Sequence, residues 1–304
     1  MTAVDAPEEV RIVEVVVSGS PRRGLASRLV GRLGDGTVQV VLAVVALFWL
    51  MPVFGLLVSS FRDETDNNAG GWWTIFTKPA QLTLENYEGL AVNQTVLKSF
   101  LNTVLITVPS TVLVVVISAL AAYALSWIEF PGRGWATTIV VGLLVMPVQV
   151  ALIPVARLFG AVGLFGTITG VVLFHVAFGL PFAIFLLRNF FTGIPRDLIE
   201  AARMDGAREW VIFAKVVLPI GKPAIASLAI FEFLWVWNDL LVALVFADQD
   251  SAPITVVLRG QLRQFGTNID LLSSGAFLSM IVPLGVFLAF QRYFVQGVLA
   301  GSTK

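Results

Sequence analysis

Six stretches of this chain are apolar for long enough to cross hydrocarbon, which takes roughly 20 residues. Polar segments separate them. They lie at about 37–60, 99–127, 135–158, 163–188, 222–247 and 275–298. The pattern predicts an all-α integral membrane protein of six transmembrane helices, a single membrane domain over 37–304 behind a polar segment 1–36. Pro52, Pro109, Pro147, Pro154, Pro181 and Pro283 fall inside the spans. Membrane helices tolerate them because neighbouring helices or water satisfy the freed carbonyls. They predict kinked helices, either as ordinary irregularity or as gating hinges. Gly166 and Gly170 form a small-xxx-small pair in the fourth span, which permits close helix packing.

One polar segment differs from the other connections. Pro195 to Pro219 reads PRDLIEAARMDGAREWVIFAKVVLP. Pro195 suits a first helical turn and Asp197 places negative charge near a helix N-terminus. Leu198 and Ala202 then stack one turn apart, and Ala201 with Ala202 gives a low-relief face another protein could approach. Gly206 lets the chain turn. Trp210, Phe213 and Val217 give a second helix an apolar stripe expected to stop before Pro219.

Composition supports lipid as the solvent: 57% of the residues are hydrophobic and 13% charged, with mean hydropathy +0.87. The absence of cysteine excludes disulfides, thiol chemistry and cysteine metal sites. Net charge is +0, which argues neither for nor against an acidic partner. The first apolar run is too long for a cleavable secretory signal. With both termini inside, only Arg62, Lys78, Lys98, Arg157, Arg259 and Arg263 face outward, leaving 14 of 20 basic residues on the cytoplasmic side. That orientation puts Pro195–Pro219 in the cytoplasm.

The spaced residues of this segment carry a resemblance. Glu200-Ala201-Ala202, then Gly206, then Val216-x-Leu218-Pro219 is similar to the EAA loop of permease subunits in binding-protein-dependent ABC importers, with Val216 where the family has isoleucine. Asn86-Tyr87, Leu101-Asn102-Thr103, Ala121-Ala122-Tyr123-Ala124-Leu125, Trp237-Asn238-Asp239 and the closing Gln296-Gly297 to Lys304 resemble the carbohydrate, MalG-like branch of that family. The run Phe233 to Leu244 looks closest to α-glucoside permeases.

The resemblance implies the type I ABC importer permease fold, with a cytoplasmic coupling-helix loop at about 192–220, in a bacterial or archaeal plasma membrane. It implies a coupling site of Glu200, Ala201, Ala202, Asp205, Gly206, Leu218 and Pro219, with Glu200 a candidate partner for an ATPase arginine. The implied partners are a second homologous permease, two cytoplasmic ATP-binding subunits, an extracytoplasmic sugar-binding protein and a sugar, with no nucleic acid. ATP and Mg would belong to the ATPase subunits, with no cofactor on this chain.

The residues agree that the chain carries no P-loop. Its one Gly-Lys pair, Gly221-Lys222, is followed by Pro223, and Val216 stands at the first-glycine position. His175, the sole histidine, lies in the fourth span and reads as a hydrogen-bonded packing residue or, second, as a cavity-lining one. In the fifth span Glu232 falls near mid-membrane, where a charge must face protein or water. Glu232, Trp235 and Asp239 share a broad helical face with Asn238 at its edge. With Trp237 these residues suit sugar recognition through ring stacking and hydroxyl pairing. The alternative is that the tryptophans anchor the span and Glu232 pairs with a partner subunit. A permease for another solute would keep the loop and change these aromatics. A secondary transporter would need paired ionisable groups across broken spans, and Glu232 and His175 are sparse for that.

Overall fold

The computed structural model describes residues 35–262 and 269–302. The polar lead (apart from its last two residues), Arg263, Thr303 and Lys304 lie outside them. Helix α1 spans Asp35–Ser60, and the chain divides after Phe54 into two units. In the first, the described part of α1 turns Leu42, Leu47, Phe48 and Trp49 outward. A helix of this length that is apolar all round has the composition of a membrane span.

The second unit begins at Gly55 and holds the rest. Short helices Glu64–Ala69 (α2) and Glu85–Val92 (α3) fold the first long connection. Then come α4 (Gln94–Trp127), α5 (Arg133–Leu144), α6 (Val148–Ala161) and α7 (Ile168–Thr192). Helix α8 (Arg196–Met204) precedes a continuous helical run, Glu209–Trp237, which we label α9. Helices α10 (Leu241–Phe246), α11 (Ile254–Leu262) and α12 (Ile269–Ser302) complete the chain. Among the described residues five helices are long and apolar enough to cross a membrane, and the bent pair α5–α6 brings the number to six when it is counted as one span. Helix α7 is the central element: Val171, Phe174, Ala183, Leu187 and Phe191 are buried along it, chiefly against α4 and α9.

The spans depart from the sequence reading at several places, most with a local cause. The third is broken by a 102° bend between α5 and α6. Pro147 disfavours helical backbone at Met146 and leads the second half. The fourth starts at Ile168, not 163, so Gly166 lies outside the helix and does not form a packing pair with Gly170. Gly166 instead takes φ +79°, a left-handed turn, and bonds its amide to Phe246 O at 3.0 Å.

The fifth span starts at Glu209, because Pro219 does not stop it. A wide turn over Phe213–Val217 carries the helix into Leu218–Trp237 and accommodates the proline ring. It then ends at Trp237 instead of running to 247. Asp239 draws the next helix away by accepting the amides of Val242 (3.2 Å) and Ala243 (3.0 Å). The last span is longer than predicted, Ile269–Ser302.

The first long connection is a folded cap, and Arg62 organises it. This arginine is 1% exposed, and its guanidinium donates to Asp66 O, to Gly70 O at 3.2 Å and to Asn67 Oδ1 at 3.4 Å. Asn86 Nδ2 donates to Ser60 O and Arg62 O at 3.0 and 2.8 Å, and Tyr87 shares a hydrogen bond with Ser60 Oγ at 2.8 Å. Arg62→Met should cost about 2–4 kcal/mol, since three oxygens lose a charged donor. Arg62→Lys should not restore it, because an ammonium cannot reproduce the planar fork. Melting of the purified variants, with protease nicking mapped between residues 62 and 86, checks both.

Candidate functional site

Helix α8 sits at one end of the bundle, where α4 ends and α5 and α9 begin. Its inward residue is Ile199, 1% exposed, which joins the core with Ile194, Ile212 and Phe213. Leu198, Glu200, Ala201, Met204, Asp205 and Gly206 are all exposed, and Ala202 is half-buried. The predicted low-relief face is therefore present, with Leu198 beside it and Met204, at 88% exposed, projecting furthest. Gly206 has φ +78° and bonds its amide to Arg203 O at 3.0 Å, a left-handed turn of the kind that ends helices. Leu218 is half-buried and Pro219 exposed on the following run. They are not part of the α8 face.

A polar latch that the sequence reading missed ties α8 to the spans. Arg203 Nε donates to Glu209 Oε1 at 3.0 Å, and another nitrogen of its guanidinium donates to Trp127 O at 2.9 Å. The Tyr123 hydroxyl bonds the other Glu209 oxygen and lies 3.3 Å from the Glu209 carbonyl. Its ring packs on Phe213 at 5.2 Å. Arg133 closes the neighbouring turn by donating to Leu125 O and Ser126 O at 2.8 and 2.7 Å. Trp210 is exposed but lies 5.5 Å from the Phe213 ring, while Phe213 and Val217 are buried. The spacing of Tyr123 from Glu209, 86 residues, is what hid the latch.

The fifth-span residues do not form one face. Trp237 is 1% exposed, donates its indole N–H to Ser279 O at 3.1 Å and is enclosed by Phe100 and Phe233 at 5.6 and 5.4 Å. It has no free ring for a sugar. Asp239 has left the helix and serves α10. Glu232 is buried against α7, where Gly179 leaves room for its carboxylate, and its Oε1 has no hydrogen-bond partner among the described residues. Trp235 remains partly exposed, 5.3 Å from the His175 ring, and Asn238 is exposed with its amide donating to Leu234 O at 2.7 Å. The expected shared face fails because the helix ends one residue short of Asp239.

The other end of the bundle is stitched by motif residues. Asn102 Nδ2 donates to Asp250 O (2.9 Å) and Ala252 O (3.1 Å), Thr103 Oγ1 accepts the Ile254 amide at 2.9 Å, and Lys98 pairs with Asp250. Ser251 Oγ lies 2.9 Å from both Gly166 O and Asp248 Oδ1. The Ser251 amide and hydroxyl, helped by the Asp250 amide, hold the Asp248 carboxyl below its ordinary range. No group of three or more potential metal-binding side chains occurs among the described residues.

Five long apolar helices, with the bent pair α5–α6 as a further candidate crossing, define a multi-pass membrane protein. Residues 25–300 match the binding-protein-dependent transport system inner membrane component family, and the chain belongs to it. The osmoprotective compounds uptake permease protein GgtD of Synechocystis sp. is 48% identical over 88% of this chain and 91% of its own length. The alpha-glucoside transport system permease protein AglG of Rhizobium meliloti is 49% identical over 82% of this chain and 67% of its own length. The fold matches that of a bacterial ABC transporter involved in the import of the acidic polysaccharide alginate. That match has a TM-score of 0.74 at 24% identity and covers 90% of this chain and 100% of that one.

Proposed function

We propose that this chain is one half of the membrane pore of an ATP-binding-cassette sugar importer, taking an oligosaccharide or α-glucoside. The observation that carries the coupling role is α8, a short helix anchored by Ile199 and the Tyr123–Glu209–Arg203 latch, with Glu200, Ala201, Asp205 and Gly206 at its outward side and Ala202 half-buried at the edge. Such a face suits a cleft on a cytoplasmic ATPase, and the end of the bundle bearing α8 is then the cytoplasmic one. Closure of two ATPase subunits on ATP would push α8, and the latch would pass that motion to α4 and α9. Leu218 and Pro219 act one step further on, where the wide turn enters the span. The domain over 37–304 would pair with a second, homologous permease, and an extracytoplasmic binding protein would deliver the sugar to the stitched end. ATP hydrolysis falls to the separate subunits, since this chain carries no P-loop.

Sugar as the substrate class rests on the relative AglG. The relative GgtD favours a second reading, an osmoprotective compound as the solute. Reconstitution of the chain with its permease, ATPase and binding-protein partners in liposomes separates the two. ATP-dependent uptake of labelled α-glucosides supports the first, and uptake of osmoprotectants that α-glucosides do not compete with supports the second. Uptake without ATP would overturn both.

Within the fifth span we assign sugar contact to Trp235 and Asn238, and packing roles to Glu232, Trp237 and Asp239. Trp235→Ala should raise the uptake KM several-fold, by losing a stacking surface of about 1 kcal/mol or more. Glu232→Gln should leave KM unchanged and keep or improve thermal stability, since a buried unpaired charge is costly and an amide less so. An altered KM for Glu232→Gln would return that residue to the pore.

A further inference from the structure

Where α4, α7 and the break after α9 meet, four polar side chains converge on a small cavity that the transport reading does not use. It is lined by Thr103, Thr107, His175, Asp239 and apolar neighbours, including Val171 and Pro253, and has room for about one water molecule. His175 and Thr107 are 1% and 0% exposed. Neither His175 Nε2 nor Thr107 Oγ1 has a hydrogen-bond partner among the described residues.

The ring's other nitrogen decides what the cavity can hold. His175 Nδ1 lies 2.9 Å from Val171 O. A carbonyl only accepts, so Nδ1 carries the proton and donates. In the neutral ring Nε2 is then a bare lone pair, 3.6 Å from Asp239 Oδ2. That separation is too long for a direct hydrogen bond, and two acceptors that face each other need a donor between them. Asp239 Oδ2 already takes the Ala243 amide, and its second lone pair is unused. Thr103 is satisfied, donating to Ser99 O and accepting from Ile254 N. Thr107 is therefore the hydroxyl with a proton to give.

We propose that this cavity is a buried water site that joins three membrane segments. One water donates to His175 Nε2 on α7 and to Asp239 Oδ2 at the break after α9, and accepts from Thr107 Oγ1 on α4. These three bonds match what a buried water ordinarily makes. The water turns the facing acceptors from a repulsive pair into a junction. It thereby fixes the outer helix α10, whose start Asp239 also holds. His175 acts here as a positioning residue. A metal ion fits poorly, because Thr107 and the doubly engaged Asp239 leave too few anionic ligands.

His175 is the sole histidine, so the ring can be observed directly. The full-length chain, labelled with 15N-histidine and carrying a histidine-free tag, would be placed in lipid nanodiscs and studied by solid-state NMR. One ring nitrogen should be protonated and the other not, and magnetisation should pass from water to the ring. Thr107→Val should abolish that transfer while the tautomer persists. Two protonated nitrogens would mean a direct imidazolium–Asp239 pair and would overturn the proposal. So would a wild-type ring that receives nothing from water, or a Thr107→Val ring that receives as much as the wild type.

Discussion

Gly206→Arg is expected to abolish ATP-driven uptake while the protein remains in the membrane at normal level. Gly206 is exposed at the end of α8, and a Cβ added there meets no atom of this chain within 4 Å. Its φ of +78° is the only internal obstacle, and left-handed backbone costs a non-glycine residue about 1–2 kcal/mol. That is too little to unfold a six-span bundle whose core lies on α7. The large effect must come from outside the chain, where a long cationic side chain would stand on the face proposed to enter the ATPase. Gly206→Asn separates the two causes. Asparagine tolerates the left-handed turn and adds little bulk, so uptake should stay within a few-fold of wild type. Membrane fractions probed for the protein, with uptake and ATPase co-purification measured on the same cells, give the answer. If Gly206→Asn were as damaging as Gly206→Arg, backbone strain would explain both and the docking surface would lose its support.

The same helix shows how far the sequence could be read. Pro195, Asp197, Gly206 and the Glu-Ala-Ala spacing carry local signals, and helix and turn form where those signals put them. The six spans were legible for the same reason, because twenty apolar residues in lipid leave the backbone few alternatives. What the sequence hid is non-local. Pro219 looks like a terminator by itself, but a wide turn two residues earlier absorbs it. Asp239 looks like a face-mate of Glu232 by periodicity, but its carboxylate finds the Val242 and Ala243 amides and ends the span. Arg62 counts as a loop charge until Asp66 O and Gly70 O enclose it. Asn86-Tyr87 and Asn102-Thr103 were visible only as resemblances. The structure supplies their physical reason, which is amide and hydroxyl bonds that fasten connections to span ends.

The Tyr123–Glu209–Arg203 latch yields the second large effect, and its members should rank by how many of its bonds each one carries and how buried those bonds are. Arg203 and Glu209 have side chains 41% and 45% exposed, and an exposed pair of this kind contributes about 0–1 kcal/mol. Tyr123 is 4% exposed, so its hydroxyl has few other partners, and losing one costs about 1–3 kcal/mol. Glu209→Ala removes both of its interactions at once and leaves α8 tied to α4 only through the Arg203–Trp127 O bond. Uptake should fall by roughly tenfold or more, since a coupling loss of 1.4 kcal/mol is already a factor of ten. ATP hydrolysis by the assembled complex should continue, because the outward face of α8 is untouched. Tyr123→Phe keeps the contact with Phe213 and should fall between Glu209→Ala and wild type. Arg203→Gln should do least, because its partners are exposed to water or salt. Hydrolysis and uptake measured on the same proteoliposomes would show the ranking as a falling ratio of solute moved per ATP. If Arg203→Gln uncoupled as strongly as Glu209→Ala, the exposed ion pair would be the transmitting element and buried Tyr123 only a packing residue.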